Sequence, residues 1–239
     1  MPRVRFVLVE PREAGNVGAV ARVMKNFGFD DLCIVGEHPE LLPVAGWWAS
    51  GADDLLARAR FAPTLLEAIA DAKLTVATTA MRGRTTPADL TPRTLRELAS
   101  TMADDDVLAM VFGREDSGLT REEVVACQRA ASIPTDPSFP TMNLAQSAGV
   151  FCYELSTIER ASEPRTRPPA ALIERIHERA EALLLEVGFL HANNPSRIYD
   201  EVRAMIAHAD LDEREATIAL GILRQVEWKL GKMRDEDER

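Results

Sequence analysis

From Arg3 to Ile158, short apolar runs alternate with amphipathic stretches, and that alternation points to a parallel sheet flanked by helices. Arg3 to Val9 reads as a buried strand, Val17 to Phe27 as a helix closed by Gly28, and Leu32 to Val35 as the next strand. Leu74 to Thr79 and Val107 to Phe112 are further β-type runs, each preceded by a helical stretch with a start signal. Thr64 with Glu67 fits a capping box, and Thr91 before Pro92 fits an N-cap with proline in the first turn. Thr120 with Glu123 repeats the capping box, a short run follows at Ala131 to Pro134, and Asn143 opens a helix to about Ile158.

Beyond this, Ser162 to Pro169 carries three prolines among alternating charges and reads as a linker. Leu172, Ile173, Ile176, Ala180, Leu183, Leu184 and Val187 then recur at helical spacing, with Gly188 closing the helix. Asn194 and Pro195 start a second helix, and Asp212 caps a third that runs through Leu230, ahead of a charged, frayed tail from Arg234 to Arg239. The expected division is an α/β domain at 1–161 and a small helical domain at 170–239. No run approaches the roughly eighteen apolar residues of a membrane span, so a cytoplasmic protein is expected.

A net charge of −10 argues against holding nucleic acid by bulk positive charge. Residues 1–29 nevertheless carry Arg3, Arg5, Arg12, Arg22 and Lys25 against Glu10 and Glu13, so any phosphate contact is local. Cys33, Cys127 and Cys152 are far apart among apolar neighbours and read as core residues, with neither metal-ligand spacing nor a disulfide framework. No metal site is expected.

Three segments fall where such a sheet presents the carboxyl ends of its strands, the usual place for ligand crevices. In EPREAGNVGAVARVMKNFGF, Gly15 and Gly18 flank a helix start whose free N–H groups suit a phosphate or a carboxylate, with Asn16 able to cap and Arg22 more than a turn inside. A turn that needs only close packing explains the same glycines. A dinucleotide site with Glu37 on the ribose hydroxyls is a rival, but Glu13 stands where the first glycine of that fingerprint belongs. In VLAMVFGREDSGLT a buried strand runs into Gly113, which lets a ligand lie against backbone, whereas Arg114, Glu115 and Asp116 taken singly read as a solvated turn. In SIPTDPSFPTMNLAQSAGVFCYEL, Pro134, Pro137 and Pro140 stiffen a loop that can hold a ligand at low ordering cost, and Asn143 serves at least as an N-cap.

Together, in this order and spacing, GNVGAVARVMKNFGF, VFGREDSGLT and IPTDPSFPTMNLAQSAGVFCYEL resemble the three motifs of the SpoU branch of the SPOUT RNA methyltransferases. Within that branch, SGADDLL at Ser50 and the helical C-terminal extension look most like a tRNA (cytidine/uridine-2′-O)-methyltransferase. The resemblance implies an α/β SPOUT-type parallel sheet with a C-terminal trefoil knot, plus a small all-helical C-terminal domain. It also implies S-adenosylmethionine as cofactor, a homodimer, and methylation of a ribose 2′-OH in RNA, tRNA at the anticodon loop before rRNA.

By the same resemblance Arg22, Asn16, Glu115 and Asn143 are catalytic, and Thr78, Thr79, Ala80, Gly113, Glu115, Ile133, Met142, Leu144 and Ala145 bind the cofactor, within loops that extend to Met81 and Phe112. Thr141 and Met142 stand where many relatives have Ser-Leu, so Thr141 is expected to supply the serine's hydroxyl. A guanidinium is a poor proton acceptor, so Arg22 is expected to clamp the phosphate beside the target ribose, with Asn16 and Glu115 fixing its orientation. Arg82, Arg84, Arg165 and Arg167 are candidate RNA contacts, and the helical domain a reader of RNA shape. A catalytically silent RNA-binding relative and a dinucleotide-dependent oxidoreductase using Gly15 and Glu37 are the competing classes.

Overall fold

The computed structural model describes residues 1–36, 41–80, 88–158, 166–190 and 195–237. The chain divides into two compact units, Met1–Arg165 and Thr166–Arg239. The first is built on six strands: β1 (Arg3–Val9), β2 (Asp31–Val35), β3 (Arg60–Ala62), β4 (Leu74–Thr78), β5 (Val107–Phe112) and β6 (Arg129–Ala131). They lie in the order β3-β2-β1-β5-β4-β6 with every neighbouring pair parallel.

Parallel strands need crossovers, and these bring helices onto both faces: α1 (Ala14–Asn26), α2 (Leu41–Ala49), α3 (Asp53–Ala57), α4 (Leu65–Ile69), α5 (Pro92–Ala99), α6 (Arg121–Ala126) and α7 (Leu144–Ser156). Successive side chains of a strand point to opposite faces, so β1 and β5 feed two cores at once. Phe6, Leu8, Met110 and Phe112 pack with residues of α1, α2, α5 and α7, while Val7, Val9, Cys33, Ala109 and Val111 pack with residues of α4 and α6. All three cysteines are buried, and burial pushes the Cys152 thiol up to about 12.

The N-cap threonines Thr91 and Thr120 form capping boxes, Thr91 with Thr94 and Thr120 with Glu123. Thr64 accepts from the Glu67 N–H at 3.3 Å. Elements α2, α3 and β3 were not expected. The segment of α2, LLPVAGWWA, carries a proline, a glycine and no clean period, yet it packs against α1 so tightly that a Cβ on Gly18 would lie 2.1 Å from the Ala45 carbonyl oxygen. Strand β3 is three residues long and exists through its pairing with β2. Strand β6 starts two residues before the expected run, since pairing with β4 matches Val76, Ala77 and Thr78 to Arg129, Ala130 and Ala131.

The second unit holds α8 (Ala170–Glu186), α9 (Pro195–His208) and α10 (Glu213–Asp237). Ile173, Ile176, Ala216 and Leu220 form one core cluster, and Ala180, Leu190 and Tyr199 another. Gly188 follows α8 at φ +74°, and Asp212 caps α10 by accepting from the Glu215 N–H at 2.7 Å. Of the tail expected to fray, Arg234 to Asp237 continue α10, because no proline and no glycine after Gly231 interrupt its helix-forming residues, and Glu238 and Arg239 lie outside the described residues. Arg167 is also corrected as an RNA contact. It is 5% exposed and forms a two-pronged ion pair with Asp210. Asn194, Arg82, Arg84 and Arg165 lie outside the described residues.

Candidate active site

The connection leaving β1 runs toward β2, while the one leaving β5 passes β4 to reach β6, so a crevice opens at the carboxyl ends of β1 and β5. After β5 the chain folds back on itself, Arg114 and Gly118 exchanging backbone bonds at 3.2 and 2.8 Å. Only glycine fits at the entry, since a Cβ on Gly113 would lie 2.1 Å from the Gly118 carbonyl carbon and 2.2 Å from the Leu119 nitrogen. Arg114 braces this turn, bonding Glu10 at 2.9 Å and both oxygens of Glu123 at 3.0 Å.

The turn holds Glu115 over the start of α1. Its carboxylate accepts from the Arg12 N–H at 3.0 Å, the Glu13 N–H at 3.1 Å and Asn16 Nδ2 at 3.1 Å. Burial pushes the Glu115 carboxyl up, but the Arg12 backbone donor, Asn16 and Glu13 outweigh it and hold the group below the ordinary glutamate range. A charged carboxylate at a helix N-terminus is favoured by the helix dipole as well. Glu115 thus takes up the N–H groups of Arg12 and Glu13, just ahead of the helix start where an external phosphate or carboxylate was expected. Asn16 is not the cap: α1 begins at Ala14 with Glu13 in the cap position, and the Asn16 side chain turns to Glu115 instead.

Asn16 Oδ1 in turn accepts from Asn143 Nδ2 at 2.9 Å, and Asn143 Oδ1 accepts from the N–H groups of Ala145 and Gln146 at 2.9 and 3.3 Å. Three of the four expected catalytic residues thus form one hydrogen-bonded chain that ties the N-terminus of α1 to that of α7. Each amide is held at both ends, which fixes which way its dipole points.

Beside this chain lies an open cavity of about 220 Å³. Thr78, Thr79, Ala80, Gly113, Glu115, Ile133, Met142 and Leu144 line it, as expected of cofactor residues. Ala145 does not: it packs against the core, and its N–H is spent on Asn143. Ser147 and Phe151 also line the cavity and were missed, although they follow Leu144 at the spacing of one helix face. Thr141 lies in the wall, where its hydroxyl can serve a ligand. Apolar side chains and Thr and Ser hydroxyls share this lining, the usual mixture for a small molecule with an aromatic ring and polar ends.

Arg22 is the exception among the four. It is exposed on α1, does not line the cavity, and has no hydrogen bond or ion pair among the described residues. Within the chain, Asn16 and Glu115, expected to orient it, bond each other and not Arg22. The other basic residues of this region are all engaged: Arg3 and Arg5 with Asp31, Arg12 with Asp116, and Lys25 with Asp54. The dinucleotide alternative gains nothing from the geometry: a Cβ on Gly15 would lie 3.4 Å from the Trp48 indole, and the Glu13 N–H ahead of this turn is bonded to Glu115. Glu37 lies outside the described residues.

Residues 3–153 match the model of the SpoU rRNA Methylase family. The chain is 39% identical to the uncharacterized tRNA/rRNA methyltransferase LasT of Escherichia coli (strain K12), over 76% of this chain and 81% of that protein. It is 34% identical to the tRNA (cytidine/uridine-2′-O-)-methyltransferase TrmJ of the same strain, over 95% of this chain and 96% of that one. The crystal structure of TrmJ from Z. mobilis ZM4 matches with a TM-score of 0.80 at 30% identity, covering 95% of this chain and 99% of that one.

Proposed function

This chain belongs to the SpoU rRNA Methylase family, and on that premise we propose that it transfers a methyl group from S-adenosylmethionine to the ribose 2′-OH of a cytidine or uridine in the anticodon loop of tRNA. The reading rests on one observation: the cavity beside the Glu115–Asn16–Asn143 chain, in a protein that matches a tRNA 2′-O-methyltransferase over 95% of its length.

The donor set suits the cofactor. Ile133, Met142 and Leu144 offer apolar surface for a purine, and Thr141, Ser147 and Ser117 offer hydroxyls for its polar ends. Bound there, S-adenosylmethionine supplies a methyl group on a positively charged sulfur. A ribose hydroxyl is weakly acidic, so the protein must align it and favour charge developing on its oxygen. Asn16 and Asn143, locked in orientation, supply fixed dipoles beside the cavity. Arg22 is a permanent cation and a poor base, so its role is to clamp the phosphate next to the target ribose and stabilise the alkoxide as it forms.

Because Arg22 stands off its own chain's cavity, we place it in the site of a second copy, in a homodimer packed across α1 and α7. Those helices pack on each other, and Tyr153 on α7 stays 59% exposed beside Phe27. We also read the chain after β6 as the threaded segment of the family knot. Thr79 and Leu90 are each tied to β6, by the Thr79 N–H to the Ala131 carbonyl at 3.0 Å and the Leu90 N–H to the Ala130 carbonyl at 3.0 Å. No helix among the described residues is long and apolar enough to cross a membrane, and we place the protein in the cytoplasm.

Transfer of labelled methyl from S-adenosylmethionine to unmodified tRNA and, in parallel, to rRNA tests the function. Label at a 2′-O-methylated cytidine or uridine of tRNA supports it. Label in rRNA alone moves the substrate, and label in neither defeats the proposal.

A further inference from the structure

We propose that Phe139 is a stacking platform for an unpaired RNA base beside the reacting ribose, an inference that rests on the RNA substrate proposed above. Phe139 is 79% exposed, an unusual place for a phenyl ring that gains nothing from water. The loop that carries it is fixed rather than loose. Asp136 accepts from both the N–H and the hydroxyl of Ser138, at 2.7 and 2.6 Å, and its carbonyl accepts from the Phe139 N–H at 3.0 Å. Thr135 Oγ1 donates to the Pro140 carbonyl at 3.2 Å, closing the loop at its base. Pro137 and Pro140 restrict the backbone on either side of the ring.

The base of the same loop belongs to the cavity, since Thr135, Pro140 and Thr141 line it. Phe139 directly precedes Pro140 of that lining, and in this proposal its ring faces the mouth of the site, where the target nucleotide must enter. A base is the occupant that fits. The carboxylate of Asp136, held below the ordinary aspartate range by the Ser138 hydroxyl and N–H, repels a phosphate but not the face of a base. The chain as a whole is acidic, and among the described residues Arg114 of the cavity wall and Arg12 beside it are already paired, with Glu10 and Glu123 and with Asp116. Stacking supplies affinity that charge does not, and it needs only one aromatic face. A second copy of this chain is a poorer occupant, because stable protein interfaces need a broad apolar patch, whereas Phe139 is flanked in the loop by Asp136, Ser138 and Thr141 as well as by Pro137 and Pro140.

The test pairs turnover with binding. Phe139→Ala should raise KM for tRNA about tenfold to a hundredfold with kcat nearly unchanged. Its affinity for S-adenosylmethionine, measured by calorimetry, should match that of the unaltered protein. Phe139→Trp should restore KM and Phe139→Leu should not, which separates stacking from plain apolar packing. Affinity for fluorescent tRNA, read by anisotropy without turnover, should fall in the same order, and a 5-iodouridine at the target position should photo-crosslink to the peptide holding Phe139. Full activity of Phe139→Ala, or rescue by Phe139→Leu, overturns the proposal, as does loss of a dimer in that variant. Unaltered protein that binds tRNA but methylates none defeats the methyltransferase reading alone, and the anisotropy series still decides the role of Phe139.

Discussion

Arg5 and Glu115 are both ionised groups drawn into the α/β unit, each bonded to side chain and backbone, but they serve opposite ends of the sheet. Arg5 lies in the first half of β1, fully buried, donating to Asp31 at 3.1 Å, to Asp71 at 2.9 Å and to the Ala68 carbonyl at 2.8 Å. Burial pulls its guanidinium down, and the bonds to Asp71 and Asp31 more than reverse that. Glu115 lies past the end of β5 with an open cavity beside it. The same kind of satisfied charge thus closes the fold at one end and shapes a site at the other. What separates them is the neighbouring space: Arg5 has none to serve.

Ranked by their effect on stability, the variants that probe this contrast begin with Arg5→Ala. It leaves Asp71 without its partner and a hole in the sheet, and should cost about 3–5 kcal/mol in urea unfolding. The fraction that stays folded should methylate at the normal rate. A loss of activity beyond the loss of folded protein would erase the distinction between the two ends.

His177 in the helical unit breaks the pattern, since it is buried but uncharged. It is 4% exposed with Nδ1 unpartnered, and the Tyr199 hydroxyl donates to its backbone carbonyl rather than to its ring. Burial and then Arg203 push it down to about 4, against a smaller pull from Glu174. The unfolded chain takes up this proton near pH 6.5 and the folded one only near 4, so stability is complete above pH 6.5 and declines as pH falls toward 4. The full loss is about 3 kcal/mol. Urea unfolding at a series of pH values checks it, and His177→Phe should flatten that segment of the curve.

Glu115→Gln comes next, at about 1–3 kcal/mol, because an amide leaves one of the opposed N–H donors without an acceptor. The carboxylate is held below the ordinary glutamate range, so its contribution is present above that range and lost as pH falls through its lowered value. The stability gap between the two proteins should therefore close in acid. Methyl transfer should fall far more than stability, because a neutral amide satisfies only one side of the Arg12, Glu13 and Asn16 donor set and loosens the chain that runs on to Asn143. An active Glu115→Gln protein would make this end of the sheet merely structural too.

How much of this could be read in advance follows the distance along the chain. Thr91, Thr120, Asn143 and Asp212 announce their helix starts because a cap acts over two or three residues. The motifs identified about half of the cavity wall, and the period of α7 would have added Ser147 and Phe151. Bonds that join distant residues were not readable: Asn16 meets Glu115 across 99 positions and Asn143 across 127, while Arg5 meets Asp71 across 66. Arg5 looked like part of a basic surplus for phosphate, and only its burial shows that it is spent inside the fold.

Arg22→Ala should have the smallest effect on stability and the sharpest on function. The side chain is exposed and bonds to nothing among the described residues, so its removal should change unfolding by less than about 0.5 kcal/mol. Turnover should fall at least about a hundredfold, with affinity for S-adenosylmethionine unchanged, because the lost group acts on charge that appears only during transfer. Arg22→Lys should recover little, since an ammonium lacks the two-pronged geometry that matches a phosphate. If Arg22 serves the neighbouring subunit, mixing Arg22→Ala with Glu115→Gln should restore activity, because each mixed dimer contains one site with both residues intact. Two inactive proteins that stay inactive after subunit exchange would place Arg22 in its own chain's site, and a near-normal rate for Arg22→Ala would remove it from the reaction.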